Sequence, residues 1–132
     1  MKRIALRGRK RTKKAIREGD IDKFFSLFIR NRDQTCQFPL RGPEDYHLGV
    51  LQCSHFFGRS ARSTRWDEMN CDALCARHHQ FLEGRKNGEY ADWKLTQLGA
   101  FKFAALRKRY YALKHWTDNE KQELYERYKN RG

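Results

Sequence analysis

Cysteine and histidine side chains are concentrated between residues 53 and 79 of this 132-residue chain, and they constrain its fold more than any other feature. Cys75 and His78 are three residues apart, a spacing that places both on one face of a helix. Cys-x-x-His supplies two of the four ligands of a tetrahedral zinc site, because zinc accepts thiolate sulfur and imidazole nitrogen. The spacing therefore predicts a small domain stabilised by a structural Zn²⁺ ion.

Two further zinc ligands must come from earlier in the chain. Cys36 falls at a turn just after the first predicted helix and is the third candidate. Cys53 is favoured as the fourth, because it lies at the end of the loop that Cys36 opens and on the strand face directed toward the helix. Cys71 is the alternative fourth ligand. An ordinary buried thiol stays an alternative for both Cys53 and Cys71.

Charge limits the classes of function. Lysine and arginine number 29 against 16 acidic residues, a formal net charge of +13 at pH 7 that creates a strong positive field. Nucleic acid is the usual partner of such a chain. No apolar run approaches the roughly 18 residues of a membrane span, and no signal-peptide core follows the basic N-terminus. We therefore expect no membrane partner, a cytoplasmic location, and cysteines that bind metal rather than form disulfides.

The pattern of apolar residues predicts one α+β domain over residues 20–132, preceded by a basic N-terminal arm over residues 1–19. The predicted elements are a helix from Asp20, a strand over 50–57, a helix from Asp72 to about Glu83, helices over 89–114 broken at Gly99, and a last helix opened by a capping box at Thr117 and Glu120. The segment from 50 to 83 therefore places polar groups from a strand and a helix close together.

His55, Asn70 and His79 are the candidate catalytic residues. A lone histidine on an apolar strand is usually a packed core residue, but Asn70 and His79 follow at spacings that return the chain to the strand. His79 comes directly after His78, so on a helix it points about 100 degrees away and can face a separate cavity. Phosphodiester hydrolysis needs a base to activate water and a cation to stabilise charge. A neutral imidazole can be that base, a carboxamide can orient it, and a second imidazole can hold the cation.

The run Gln52-Cys53-Ser54-His55-Phe56-Phe57-Gly58-Arg59, followed by Asn70-Cys71-Asp72-Ala73-Leu74-Cys75 and His78-His79, resembles the HNH endonuclease motif and is similar to the NinG-like recombination nucleases of phages and prophages. The resemblance covers roughly residues 32–98, with a specific core over 52–83. It implies a ββα-metal (HNH) core flanked by helices, His55 as general base, Asn70 as its orienting residue, and His79 as a ligand of a catalytic divalent ion (Mg²⁺, Mn²⁺ or Ni²⁺). The implied activity is hydrolysis of DNA, giving a nick, or a double-strand break if two copies act together.

The chain departs from that family at two places. Ser54 precedes the base where many members have a carboxylate, histidine or glycine, and serine is a poor metal ligand, so the second ligand of the catalytic ion stays open. The nearby carboxylates that could serve are Asp67, Asp72 and Glu83. Pro39 stands three residues after Cys36, so the common Cys-x-x-Cys opening is missing, which is why Cys53 or Cys71 is needed.

Three arginines lie in the loop between the candidate base and Asn70: Arg59, Arg62 and Arg65. Beside a scissile phosphate, guanidinium groups suit bidentate contacts that position the DNA backbone without reading its sequence. We interpret this loop as DNA-binding. A non-catalytic zinc-containing DNA-binding protein is the main alternative, and it leaves the two histidines and Asn70 without a role. An RNA-directed nuclease is a third hypothesis, and a homodimer through the helices after residue 100 stays open.

Overall fold

Five helices surround a two-stranded antiparallel sheet in the computed structural model, which describes residues 15–84 and 88–131. In chain order the elements are α1 (Glu18–Asp33), β1 (Leu51–His55), β2 (Cys71–Cys75), α2 (Ala76–Glu83), α3 (Glu89–Leu98), α4 (Ala100–Tyr111) and α5 (Asp118–Arg131), with short 3₁₀ turns at Arg62–Thr64 and Glu68–Asn70. The predicted α+β class is confirmed. None of the described helices combines the length and hydropathy that a membrane span requires.

Helix α1 follows from an apolar stripe at helical spacing. Ile21, Phe25 and Ile29 lie four residues apart and are fully or almost fully buried. The helix begins two residues before Asp20 and ends at Gln34, whose left-handed backbone (φ 63°) lets its N–H donate to a carbonyl of the last turn. Most of the predicted basic arm, residues 1–14, lies outside the described residues.

Strands β1 and β2 form a hairpin in which Leu51 pairs with Cys75 and His55 pairs with Cys71. The predicted helix from Asp72 is wrong over its first four residues, because Cys71–Cys75 is a strand and α2 begins at Ala76. All five β2 residues are buried. A short run in which every residue is buried has no periodicity that distinguishes helix from strand, and pairing with β1 decides the outcome.

The sheet separates two apolar clusters, one on each of its faces, and these clusters pack the sheet between helices. One face packs against α1 and α5 through a cluster that consists of Ile21, Phe25, Ile29, Trp66, Cys71, Ala73, Leu124 and Tyr128. The other face packs against α2 and α3 through Phe38, Leu74, Leu82 and Tyr90. Each large side chain in these clusters contributes about 1.5–3 kcal/mol by leaving water. Residues that point to opposite faces of β1 therefore enter different environments.

The C-terminal helices follow the sequence predictions closely. Gly99, with a φ of 82°, separates α3 from α4, as expected from its position. Thr117 and Glu120 exchange hydrogen bonds of 3.1 Å between side chain and backbone, so the predicted capping box is confirmed. Helix α3 is fixed to β2 by the buried ammonium of Lys94, which lies 2.6 Å from a carboxylate oxygen of Asp72.

Candidate functional site

Four side chains from three segments of the chain converge on one point and could hold a metal ion. Cys36 comes from the loop after α1, His47 from the loop before β1, Cys75 from the end of β2, and His78 from α2. Their ligand atoms all lie within 4.8 Å of one another. Three of the four were predicted from sequence. Cys53 is not among them, and the fourth position belongs to His47.

The distances between these ligand atoms match a tetrahedral metal site. The Nδ1 atoms of His47 and His78 are 3.2 Å apart, and the Sγ atoms of Cys36 and Cys75 lie 3.5 and 3.4 Å from Nδ1 of His78. Zinc bonds of about 2.3 Å to sulfur and about 2.0 Å to nitrogen give tetrahedral edges of about 3.3–3.8 Å. The Cys75–His47 separation of 3.9 Å is close to that range. The donor set and its spacing therefore fit zinc.

A carboxylate behind His78 selects the tautomer that a metal needs. Nε2 of His78 lies 2.9 Å from a carboxylate oxygen of Asp45, and both side chains are almost fully buried. A carboxylate only accepts, so Nε2 carries the proton and Nδ1 keeps its lone pair toward the other three ligands. Such outer carboxylates orient histidine ligands in metal sites. The Arg41 and His78 hydrogen bonds hold the pKa of Asp45 well below its usual range.

Local backbone structure brings the loop of His47 to α2. The N–H of Arg77 donates to the carbonyl of Leu48 over 3.1 Å, which fixes the loop on the first turn of α2. Gly49 has a φ of 89°, and a Cβ there would lie 2.7 Å from Cβ of Ala76. Only glycine allows both that conformation and that close approach. The sequence Leu48-Gly49 is therefore part of what builds the cluster.

Cys75 is the N-cap of α2, which favours its thiolate. Burial raises the pKa of this thiol, but hydrogen bonds from the backbone N–H groups of His78 and Leu48 outweigh it, and the pKa falls to about 7. A helix N-terminus stabilises negative charge in the same way. Cys36, by contrast, has its pKa raised, chiefly by burial. One thiol of the cluster is thus prepared for a metal by the fold alone.

The imidazole of His55 is held at the end of β1 in one tautomer. Nε2 lies 2.9 Å from the carbonyl oxygen of Arg65, so Nε2 donates and Nδ1 retains the lone pair. The ring packs 6.2 Å from that of Phe25, and burial lowers the pKa of His55. The side chain is therefore a neutral, oriented proton acceptor near pH 7.

Asn70 orients His55 through the intervening loop rather than by touching it. Its Oδ1 accepts from the N–H of Phe57 over 2.8 Å, and its Nδ2 donates to the carbonyls of Phe57 and Thr64 over 2.9 and 3.0 Å. The buried amide thus joins both ends of the loop that presents the Arg65 carbonyl. The predicted orienting role needs correction in one respect: the carboxamide fixes the loop, and the loop fixes the imidazole.

His79 points away from the metal cluster, as the helical angle predicted. Its Nδ1 lies 2.6 Å from Oε1 of Gln52 on β1, and its Nε2 lies 2.8 Å from Oε1 of Glu83 one helical turn later. His55 and Glu83 line one cavity of about 550 Å³ between β1, α2 and α3. His79 belongs to neither of the two clusters of three or more potential ligands found in residues 15–84 and 88–131.

The three carboxylates that could be the second ligand of a catalytic ion differ in their partners and in their exposure to solvent. Asp72 accepts from Lys94 and Gln97, and Asp67 accepts from Arg109 and caps the following turn. Glu83 is 59% exposed and pairs with His79. Ser54 is fully buried, with its hydroxyl 2.6 Å from that of Tyr90. Of the residues named as second ligand to a catalytic ion, Glu83 has the suitable placement.

The three loop arginines differ in their ion pairs and in their exposure to solvent. Arg62 pairs with Glu18, and Arg65 pairs with Asp22 and Glu18, so both bind the loop to α1. Arg65 keeps only 18% of its side chain exposed. Arg62 and Arg65 are therefore engaged by acidic side chains in this structure, and their contact with DNA stays a prediction. Arg59 is 64% exposed and forms a longer ion pair of 3.8 Å with Asp22, so it is the most solvent-exposed of the three arginines.

Cys53 and Cys71 lie together with His55 on the sheet face directed at α1, with ligand atoms within 4.8 Å of one another. They are therefore separate from the cluster of Cys36 and share no residue with it.

Comparison with family models, with curated proteins and with solved structures found no match for this chain.

Proposed function

We propose that this chain is a metal-dependent HNH endonuclease that hydrolyses phosphodiester bonds of DNA. The observation that carries the proposal is the oriented, neutral imidazole of His55 at the end of β1, where residues His55 and Glu83 both border one open cavity. The order β1, β2, α2 supports assignment of a ββα core, with the candidate base at the end of its first strand and His79 on its helix. A binding protein would have no need for this arrangement.

We assign a structural Zn²⁺ ion to Cys36, His47, Cys75 and His78. Four protein ligands complete a tetrahedral zinc site and leave no position for substrate, which is typical of structural rather than catalytic zinc. The four ligands belong to the loop between α1 and β1, to β2 and to α2, and so connect segments that are distant in sequence. The described sheet has two strands and the apolar clusters beside it are small, so a metal ion that connects these segments adds to the stability of the domain.

His55 is the general base in this proposal. Because Nε2 donates to the Arg65 carbonyl, only Nδ1 can accept a proton, and its direction is fixed by the loop that Asn70 holds. A positioned base contributes typically about 10²–10⁴-fold to the rate. A divalent ion such as Mg²⁺, Mn²⁺ or Ni²⁺, when held by His79 and Glu83, supplies charge stabilisation at the phosphate and the leaving oxygen.

DNA is the substrate that the surface charge favours. The formal net charge is +13, and Arg59 extends into solvent beside the cavity residue Gly58. Helix α4 adds exposed basic side chains at Lys102, Arg107 and Lys108. Contacts of this kind hold the phosphate backbone without reading sequence, and their strength falls steeply with salt. Arg62 and Arg65 contribute indirectly, because they fix the loop that carries Arg59.

Cleavage of supercoiled plasmid tests the proposal. The protein is prepared with one equivalent of Zn²⁺, and Mg²⁺, Mn²⁺ or Ni²⁺ is then added separately, with EDTA and with zinc alone as controls. We expect nicked or linear DNA in the presence of an added divalent ion and intact plasmid in both controls. Duplex RNA of matched length, offered in competition, separates a DNA-directed from an RNA-directed nuclease.

The non-catalytic DNA-binding protein predicts a different result from the same preparation. The metal cluster and the exposed basic residues of α4 would persist without catalysis, so the plasmid would be bound in a salt-dependent way and would stay supercoiled with every metal. That outcome would replace the nuclease by a zinc-containing binding protein.

A further inference from the structure

A second group of soft ligands lies toward the other end of the sheet hairpin from Cys75 of the first cluster. His55 pairs directly with Cys71 across the two strands, and Cys53 lies two residues before His55 on β1. Residues two apart on a strand, and residues directly opposite on its partner, share one face of the sheet. All three side chains therefore point toward α1, and their ligand atoms lie within 4.8 Å of one another.

Two sulfurs and one imidazole nitrogen form a donor set with a clear metal preference. Thiolate and imidazole select Zn²⁺ and other soft or borderline ions, whereas Mg²⁺ prefers oxygen ligands. Tetrahedral zinc needs ligand separations of about 3.3–3.8 Å, so side-chain movements of about 1 Å would bring the three ligand atoms into place and leave the fourth position for water. Cys71 is fully buried, Cys53 and His55 are half-buried, and His55 also borders the open cavity of about 550 Å³.

Occupation of this group would remove the lone pair of His55. A neutral imidazole has a single nitrogen lone pair, because the other ring nitrogen carries the proton. A metal bound at either nitrogen uses that lone pair, so none is left to accept a proton from water. We propose that Cys53, His55 and Cys71 form a second metal site, and that Zn²⁺ or Cd²⁺ bound there inhibits the nuclease. The inhibition rests on the proposed function, whereas the metal site does not.

Metal stoichiometry tests the site without reference to activity. Zn²⁺ is titrated into metal-free protein against a weak chromophoric chelator, and thiolate-to-metal absorption is followed in parallel with Cd²⁺. We expect two ions per native chain, and one ion per chain in Cys53→Ser and in Cys71→Ser. His47→Ala should weaken the other site and leave this one. Because Cys71 is fully buried, circular dichroism is used to check that Cys71→Ser still folds. Cys53 is half-buried, so Cys53→Ser provides a second variant that is easier to accommodate.

Plasmid cleavage in Mg²⁺ with increasing Zn²⁺ tests the inhibition. We expect nicking to fall as the second equivalent binds. In Cys53→Ser the zinc concentration for half-inhibition should rise at least about tenfold, since loss of a direct ligand costs no less than the about 10–100-fold of an outer-shell partner. A native chain that binds one ion, or equal zinc inhibition of native and Cys53→Ser protein, would overturn the proposal. If no preparation cleaves DNA, the proposed function fails, and the stoichiometry alone decides the site.

Discussion

Replacement of His47 by alanine should weaken metal binding at the first cluster without disturbing the apolar core. His47 is exposed at the residue level, so its removal leaves no core cavity. Its Nδ1 nevertheless lies 3.2 Å from that of His78 and 3.9 Å from Sγ of Cys75. A large loss of metal affinity in a variant that still folds would therefore support direct ligation by His47.

The size of the effect follows from the number of ligands. Structural zinc sites bind with about 10–16 kcal/mol near pH 7, and loss of one ligand in four removes roughly a quarter of this, about 3 kcal/mol. Each 1.4 kcal/mol is tenfold in the dissociation constant, so the Kd for zinc should rise by about 10²-fold. Asp45→Asn should cost about tenfold, because it removes only the outer partner of His78.

Competition with a chromophoric chelator at one equivalent of zinc measures this difference. Cys53→Ser is the matched control, since Cys53 is the fourth ligand that the sequence favours and the structure places elsewhere. We expect Cys53→Ser to keep the native affinity for the first equivalent. Weakened binding in Cys53→Ser, together with native affinity in His47→Ala, would refute the four-ligand cluster.

Three further predictions concern the surrounding structure. Gly49→Ala should destabilise the chain by about 1–3 kcal/mol, because alanine is strained at a φ of 89° and meets Ala76, and the double variant Gly49→Ala/Ala76→Gly should recover only part of the thermal stability. Asn70→Ala should cost about 3 kcal/mol in urea unfolding and lower any cleavage, since it leaves loop backbone groups unpaired, and Asn70→Asp should restore at most one bond. The Arg62 hydrogen bond lowers the pKa of Glu18 from 4.5 to about 2, so its stabilisation is present above pH 4.5 and lost as pH falls toward 2. After screening at the surface this amounts to about 1 kcal/mol, and urea unfolding of Glu18→Gln should depend less on pH between 5 and 2 than that of the native chain.

Local signals in the sequence were sufficient for much of the helical structure and for part of the metal cluster. The stripe of Ile21, Phe25 and Ile29, the break at Gly99 and the capping box at Thr117 depend on residues within one or two turns, and the structure confirms each. The spacing of Cys75 and His78 is local in the same sense. Strand β2 was missed because five continuously buried residues have no periodicity of their own.

The fourth cluster ligand and the arginine partners depend on contacts that spacing does not encode. His47 is an isolated histidine in a loop, and only the glycine turn at Gly49 brings it to α2. The sequence does contain one indication of His47 as a ligand. A cysteine is followed by a histidine twice, at Cys36 with His47 and at Cys75 with His78. Arg65 meets Asp22 across 43 positions of sequence, and no local pattern predicts that ion pair.

Substitution of the proposed base tests the central claim most directly. The measurement is the rate of plasmid nicking by native protein and by His55→Ala, with DNA affinity and zinc content determined on the same samples and His115→Ala, an exposed histidine, as control. The account predicts a fall of about 10²–10⁴-fold for His55→Ala with unchanged DNA binding, and native nicking for His115→Ala. Nicking by His55→Ala within about threefold of the native rate would contradict the role of His55 as general base.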